Sequence, residues 1–174
     1  MGQYFAVAIE NKKGTRVFWP DGLAEHACVE DAISRAVTNE LQTPSCVAWV
    51  GDYATPDGKL QSLWEAAWGE DSALENTPEG YSNFEDHKFV VNYDKGEYFS
   101  ISEYMDKCGG KSWPGLTFFP IAIMTAVGNG RGGDDYEPDN CSEKFVGIWA
   151  GDLIQVVDEL PGGFEFAEIH PMFD

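Results

Sequence analysis

The acidic residues of this chain are gathered into blocks, and that distribution limits which parts of it can build a core. Residues 61–86 carry Glu65, Glu70, Asp71, Glu75, Glu79, Glu85 and Asp86 with no Lys or Arg, and residues 134–174 carry eleven acids against Lys144 alone. Residues 87–133 are near neutral, with four acids against five basic side chains. With 30 Asp and Glu against 11 Lys and Arg the formal net charge is −19, a like-charge excess that must be held against its own repulsion. The blocks therefore belong in solvent, either side by side as one acidic face or as separate solvated loops. Nothing resembles the Lys and Arg clusters that displace counterions from phosphates, so direct binding to a nucleic-acid backbone is excluded. Acidity of this degree suits a basic protein partner, met quickly and released by salt. Its plainer reading is that it keeps the protein soluble.

Hydrophobic residues make up 43% of the 174 and aromatics 14%, which is ample for a packed core and too apolar for a disordered acidic tail. At this length a single domain over 1–174 is expected. The start Met1-Gly2-Gln3-Tyr4-Phe5 lacks the charged and apolar regions of a secretory signal, and no run approaches the roughly 18 apolar residues that span a bilayer. A cytosolic protein without membrane contact is the expectation. Cys28, Cys46, Cys108 and Cys141 are widely spaced with no CxxC pair, which suits thiols in a reducing compartment.

Apolar, β-prone residues from Tyr4 to Ile9, turn chemistry at Asn11–Gly14 and a return from Thr15 to Trp19 predict a hairpin. Ile33, Ala36, Val37 and Leu41 predict a helix within Val29–Leu41, and Leu60, Leu63, Trp64, Ala67 and Trp68 a second. Cys46–Val50 reads as a strand. Lys88–Tyr93 and Glu97–Ile101 read as another hairpin, and Phe89-Val90-Val91 echoes Phe5-Ala6-Val7 as though the unit were repeated. Pro120–Val127 predicts a short helix capped by Gly128, and Lys144–Trp149, Leu153–Val157 and Phe164–Ile169 predict strands. The class is α+β: a mainly antiparallel sheet built from hairpins, with two or three helices packed on it.

Trp49-Val50-Gly51-Asp52 and Trp149-Ala150-Gly151-Asp152 share the pattern W-x-G-D, expected to close a strand each time. The Trp anchors the core, the Gly allows a bulge or turn, and the Asp bonds nearby amides. The functional alternative brings Asp52 and Asp152 together, with Asp21 or Asp134, around a divalent cation or an Arg. His26-Ala27-Cys28 is a zinc half-site in form, because ligands two residues apart face one way in an extended segment; Cys108, Cys141, His87 and His170 are candidates for the other half. Zinc or another divalent cation is thus the one cofactor class suggested. The loop Gly128-Asn129-Gly130-Arg131-Gly132-Gly133 has neither a P-loop ending nor a GxGxxG setting, which leaves Arg131 to pair with Asp52 or Asp152. Asp135, Glu137 and Asp139 alternate like a calcium loop, but Asn140 and Val146 stand where its Gly and last Glu belong. No Ser, Cys or His stands in a recognisable catalytic signature.

The opening hairpin, the stretch Val91–Tyr98, the run Thr125–Asp134 and Trp149-Ala150-Gly151-Asp152 resemble a family of small uncharacterised bacterial and phage proteins, a resemblance that implies no activity. In size, acidity and lack of a catalytic signature the chain is similar to anti-CRISPR proteins, with which phages block DNA-binding effectors. That likeness implies a non-enzymatic inhibitor that covers the basic surface of a nucleic-acid-handling protein such as a CRISPR effector. Glu70, Asp71, Glu75 and Glu79, with Asp134, Asp135, Glu137 and Asp139, would make the contact. The alternative is a metal-dependent enzyme or small-ligand binder, with His26, Cys28, Asp52 and Asp152 as candidate ligands.

Overall fold

The structure, a computed structural model, describes residues 4–20, 27–108, 115–128 and 144–173. Its frame is a mixed, mainly antiparallel sheet of nine strands with four helices, the α+β class expected from the hairpin and helix patterns. Strands β1 (Phe5–Asn11) and β2 (Gly14–Trp19) form the first hairpin, and β3 (Ser45–Gly51) pairs antiparallel with β1 from Phe5 to Glu10. Strands β5 (Phe89–Asn92) and β6 (Glu97–Ser100) form the second hairpin, and β8 (Leu153–Val157) pairs antiparallel with β5. The halves meet where Ser45 and Cys46 of β3 pair with Ile154 and Leu153 of β8.

This order mirrors itself about the centre. Outside β2 lies the two-residue β4 (Glu75–Asn76), parallel to it, and outside β6 lies the two-residue β9 (Ala167–Glu168), also parallel. Both hairpins form, but the written echo between them is one residue out. Phe5 and Val7 enter the main core, whereas in β5 it is Val90, flanked by their echo partners Phe89 and Val91, that does so. A shift of one residue exchanges the two faces of a strand, so the likeness is one of hairpin chemistry and not of equivalent side chains.

Strand β1 is buried on both sides, which is why it reads as an unbroken apolar run. Phe5, Val7 and Ile9 meet Val47, Trp49 and helix α1 (Ala32–Glu40) on one side. Ala6 and Ala8 meet Ala48, Val50 and helix α2 (Lys59–Trp68) on the other, the small side chains leaving room for the helix. Helix α1 buries Ile33, Ala36 and Val37, with Leu41 at its C-cap, and α2 buries Leu63 and Ala67, the faces their spacing predicts. Helix α3 (Ile101–Glu103) is a single turn that runs into a π-helical turn, Tyr104–Cys108.

Two local expectations are corrected. Helix α4 (Pro120–Met124) stops before Gly128, because the chain turns extended as β7 (Ala126–Val127), parallel to the end of β3. Residues 144–151 form a succession of tight turns and no strand, so the second W-x-G-D precedes β8 instead of closing a strand. The cause lies in two glycines at positive φ, Gly147 (+69°) and Gly151 (+72°). The turns are locked by backbone bonds from Gly147 to Ile123 (3.0 Å) and from Trp149 to Met124 (2.8 Å).

A Cβ at Gly147 would lie 2.6 Å from the Ala126 carbonyl oxygen, in a conformation that side-chain-bearing residues rarely adopt. Gly147→Ala is expected to lower stability by about 1–3 kcal/mol, measured by urea denaturation. Gly162→Ala, where a Cβ meets nothing within 4 Å, is the matched control and should change stability by no more than about 0.5 kcal/mol.

Candidate functional site

Most of the first acidic block is a strap laid across one edge of the sheet. It leaves α2 with Glu70 and Asp71, adds β4 outside β2, crosses α1, and ends in a 3₁₀ turn at Phe84–Asp86. Its polar side chains point out while its backbone and small residues are tied in. The Thr77 hydroxyl donates to the Trp19 carbonyl (2.9 Å), and the Ser82 amide donates to the Asn39 side chain (2.9 Å). Gly80 lies so close to α1 that a Cβ would come within 2.5 Å of the Ala36 nitrogen. Phe84 closes the strap, fully buried edge-to-face against Phe119.

Glu65, Glu70, Asp71, Glu75, Glu79, Glu85 and Asp86 are all exposed. Among the described residues only Glu75 of these seven is in an ion pair, with Arg16 at 2.9 Å. Arg16 also holds Glu40, and its two carboxylates, Glu75 foremost, push the guanidinium pKa up. Beside the strap, Tyr4 stacks on Trp19, which meets Trp68 edge-on; Tyr4 and Tyr81 stand well out into solvent.

The second acidic block is not part of this surface where it is described. Asp134, Asp135, Glu137 and Asp139 lie outside the described residues. Of the rest, Glu168 stands on β9 at the far end of the strand order from β4, and Asp152 is inside the protein. Glu168 and β4 thus stand far apart, but the two blocks meet at the end of the strap, where Asp158 lies 3.4 Å from His87, the residue after Asp86.

Asp152 is 4% exposed and holds three elements at one point. One carboxylate oxygen accepts from the buried Asn92 amide (2.8 Å), the other from the Lys59 ammonium, and the Lys95 ammonium lies 3.8 Å away. Lys95 also donates to the Ile148 carbonyl, and Asp94, 3.7 Å from Lys59, accepts from the Leu153 amide (2.9 Å). The start of α2, the β5–β6 turn and the Trp149 turn are thereby joined. Trp149 is fully buried and donates to Glu97 (2.7 Å).

Asp52 has a different role. It accepts from the Tyr4 amide (3.1 Å) and returns a backbone bond to the Tyr4 carbonyl (2.9 Å), closing the end of the β1–β3 pairing. Gly151 donates to Val47, so Asp152 and Asp52 flank β3 about five residues, or roughly 16 Å, apart. The two do not converge. Arg131 and His26 lie outside the described residues, and Cys28 is a buried residue whose amide donates to Asp31 (2.7 Å). Among the described residues the one group of three potential metal ligands is elsewhere, at Glu103, Glu168 and His170.

Cys46 borders an open hollow of about 430 Å³, with Glu10, Lys12, Thr43 and Leu153 around it. Burial first, then the carboxylates of Asp94 and Glu10, push its thiol pKa up, which disfavours the thiolate that nucleophilic chemistry uses. The Asp152 cluster is a saturated structural joint, whereas along the strap, among the described residues, Glu75 alone of the carboxylates is in an ion pair. The chain matches no protein-family model, no curated protein and no solved structure.

Asp152→Ala is expected to cost about 1–3 kcal/mol, chiefly through the orphaned, fully buried Asn92 amide. Lys59→Met should cost less, under about 1 kcal/mol, because its side chain is 55% exposed. The hydrogen bond to Asp152 raises the Lys59 pKa on folding, so this contribution is fully present below its unfolded value, about 10.4, and is lost as pH rises through the higher folded value. Denaturation of wild type and Lys59→Met across pH 7–12 should give a constant difference that shrinks only at the alkaline end.

Proposed function

We propose that the protein is a non-enzymatic inhibitor that binds a basic nucleic-acid-handling protein and covers the surface with which that protein engages DNA or RNA. The observation that carries this reading is the strap itself: six exposed carboxylates on a backbone already fixed by α1, β2 and the core. Pre-organisation lowers the ordering cost that a disordered acidic tail would bear on binding. Carboxylates spaced along a fixed path present a basic groove with what a phosphate backbone presents, and Tyr4, Trp19 and Tyr81 beside them supply aromatic surface of the kind that anchors protein interfaces. A CRISPR effector is the partner type that the sequence's character suggests, with the host cytosol as the setting. Glu70, Asp71, Glu75 and Glu79 are the contact residues assigned here, and the block from Asp134 to Asp139 would extend the contact.

A second reading, small-ligand binding, is favoured by the hollow beside Cys46, whose size falls within the range of small-molecule sites. It places the ligand away from the strap, so the two readings separate on strap variants.

The test begins with affinity capture on the immobilised protein at low salt. Any captured basic partner is then measured by surface plasmon resonance against wild type and the Glu70→Lys, Asp71→Lys, Glu75→Lys, Glu79→Lys combination. The expected result is association slowed by an order of magnitude or more, a wild-type rate that falls steeply with salt, and little change in melting temperature. A salt-independent rate that survives charge reversal would remove the strap from the interface.

A further inference from the structure

Glu103, Glu168 and His170 each offer one ligand atom, and these atoms all lie within 4.8 Å of one another. We propose that these three residues bind a divalent first-row transition ion of the zinc class, at the β9 edge of the sheet, the far end of the strand order from β4. The assignment does not rest on the partner reading.

The backbone sets the three side chains converging. Glu168 and His170 are two residues apart in an extended segment, so they face the same way. The Ile169 amide between them is pinned to the Tyr98 carbonyl (2.8 Å), and Glu168 itself stands opposite Tyr98 in the β6–β9 pairing. Glu103 comes from α3, where its amide donates to the Ser100 hydroxyl (3.3 Å), and the chain then enters the π-helical turn. Single π turns inside helices are found frequently at functional sites.

Distances and chemistry agree with an ion of this class. The His170 Nδ1 and a Glu103 carboxylate oxygen are 3.3 Å apart, close to the edge of a tetrahedron whose ligands lie about 2.0–2.2 Å from its centre. Glu168 reaches the same point by rotation of an exposed side chain. Lys107 contacts the other Glu103 oxygen (3.1 Å), leaving the one beside His170 available. Tyr98, paired with Glu168 across β6 and β9, stands on the same face as the second carboxylate, the place from which an outer-shell partner orients a ligand. One imidazole nitrogen with two carboxylate oxygens suits zinc or manganese better than the all-oxygen cages of calcium and magnesium.

Bound there, the ion joins α3 to the C-terminal segment. That segment is otherwise held by the two-residue β9, by Ile169 and by Phe173, which is buried against Tyr104 and Phe145. Binding free energy at such a junction becomes folding free energy.

The test is titration of the metal-free full chain with zinc chloride, followed by calorimetry and by melting. One zinc per chain and a raised melting temperature are expected. His170→Ala and Glu168→Gln should each weaken binding at least tenfold and abolish the thermal shift, Tyr98→Phe should weaken it by roughly tenfold, and Cys28→Ser should leave both intact. Both ligand substitutions are at exposed positions, and far-ultraviolet circular dichroism of the metal-free variants checks that they fold. Absence of one-to-one binding overturns the proposal. So does zinc affinity that persists in the His170→Ala, Glu168→Gln double variant or disappears in Cys28→Ser, since the ligands would then lie elsewhere.

Discussion

A buried carboxylate that is both hydrogen-bonded and opposed by cations fixes where the parts of this protein meet. Asp152 is the first residue after the turn that carries Trp149, and its two oxygens take the Asn92 amide and the Lys59 ammonium. An ionised group removed from water is tolerated only when such partners replace its hydration. The replacement here comes from two distant parts of the chain, so α2, the β5–β6 turn and the entry to β8, where Asp152 itself sits, cannot shift independently without stranding a charge. The lysine stems also reach solvent, which limits the desolvation each ammonium suffers.

That joint sits beside the centre of a sheet whose order mirrors itself from β3 and β8 outward, yet the halves are finished differently. In the first half α2 connects β3 to β4 and covers Ala6, Ala8, Ala48 and Val50. In the second half no helix joins β8 to β9, and Tyr93, Phe164 and Phe166 pack together near the outer hairpin. Small residues under a helix and large aromatics without one are two solutions to the same need to shield a sheet face.

Much of this frame is legible in the sequence because period and turn chemistry are local. The hairpin at Phe5–Trp19, the stripes of α1 and α2, and strands β3, β5, β6 and β8 follow from spacing alone. The run Lys144–Trp149 misleads because its apolar content resembles a strand while Gly147 and Gly151 impose turns that only the neighbouring chain stabilises. The W-x-G-D pattern correctly marks Trp49 and Trp149 as core anchors, but not which partners each Asp acquires, since Lys59, Asn92 and Lys95 come from far along the chain. Exposure of the first acidic block is readable from its lack of cations. Its attachment through Thr77, Gly80, Ser82 and Phe84 is not, because each tie depends on a tertiary neighbour. Glu103 likewise carries no sequence signal that would join it to His170.

The two acidic edges differ in how much of their charge remains for a partner. Seven strand spacings separate β4 from β9, on the order of 30 Å, several times the distance over which charge is felt at physiological salt. At the β9 edge Glu103 is met by Lys107 and His170, while at the inner end of the strap Asp158 faces His87. At the β4 edge Arg16 is the one cation paired with the strap among the described residues, leaving five of its six carboxylates out of any ion pair. Under the proposed reading a basic surface would meet the strap beside Tyr4 and Trp19, where aromatic contact converts a long-range attraction into a specific fit.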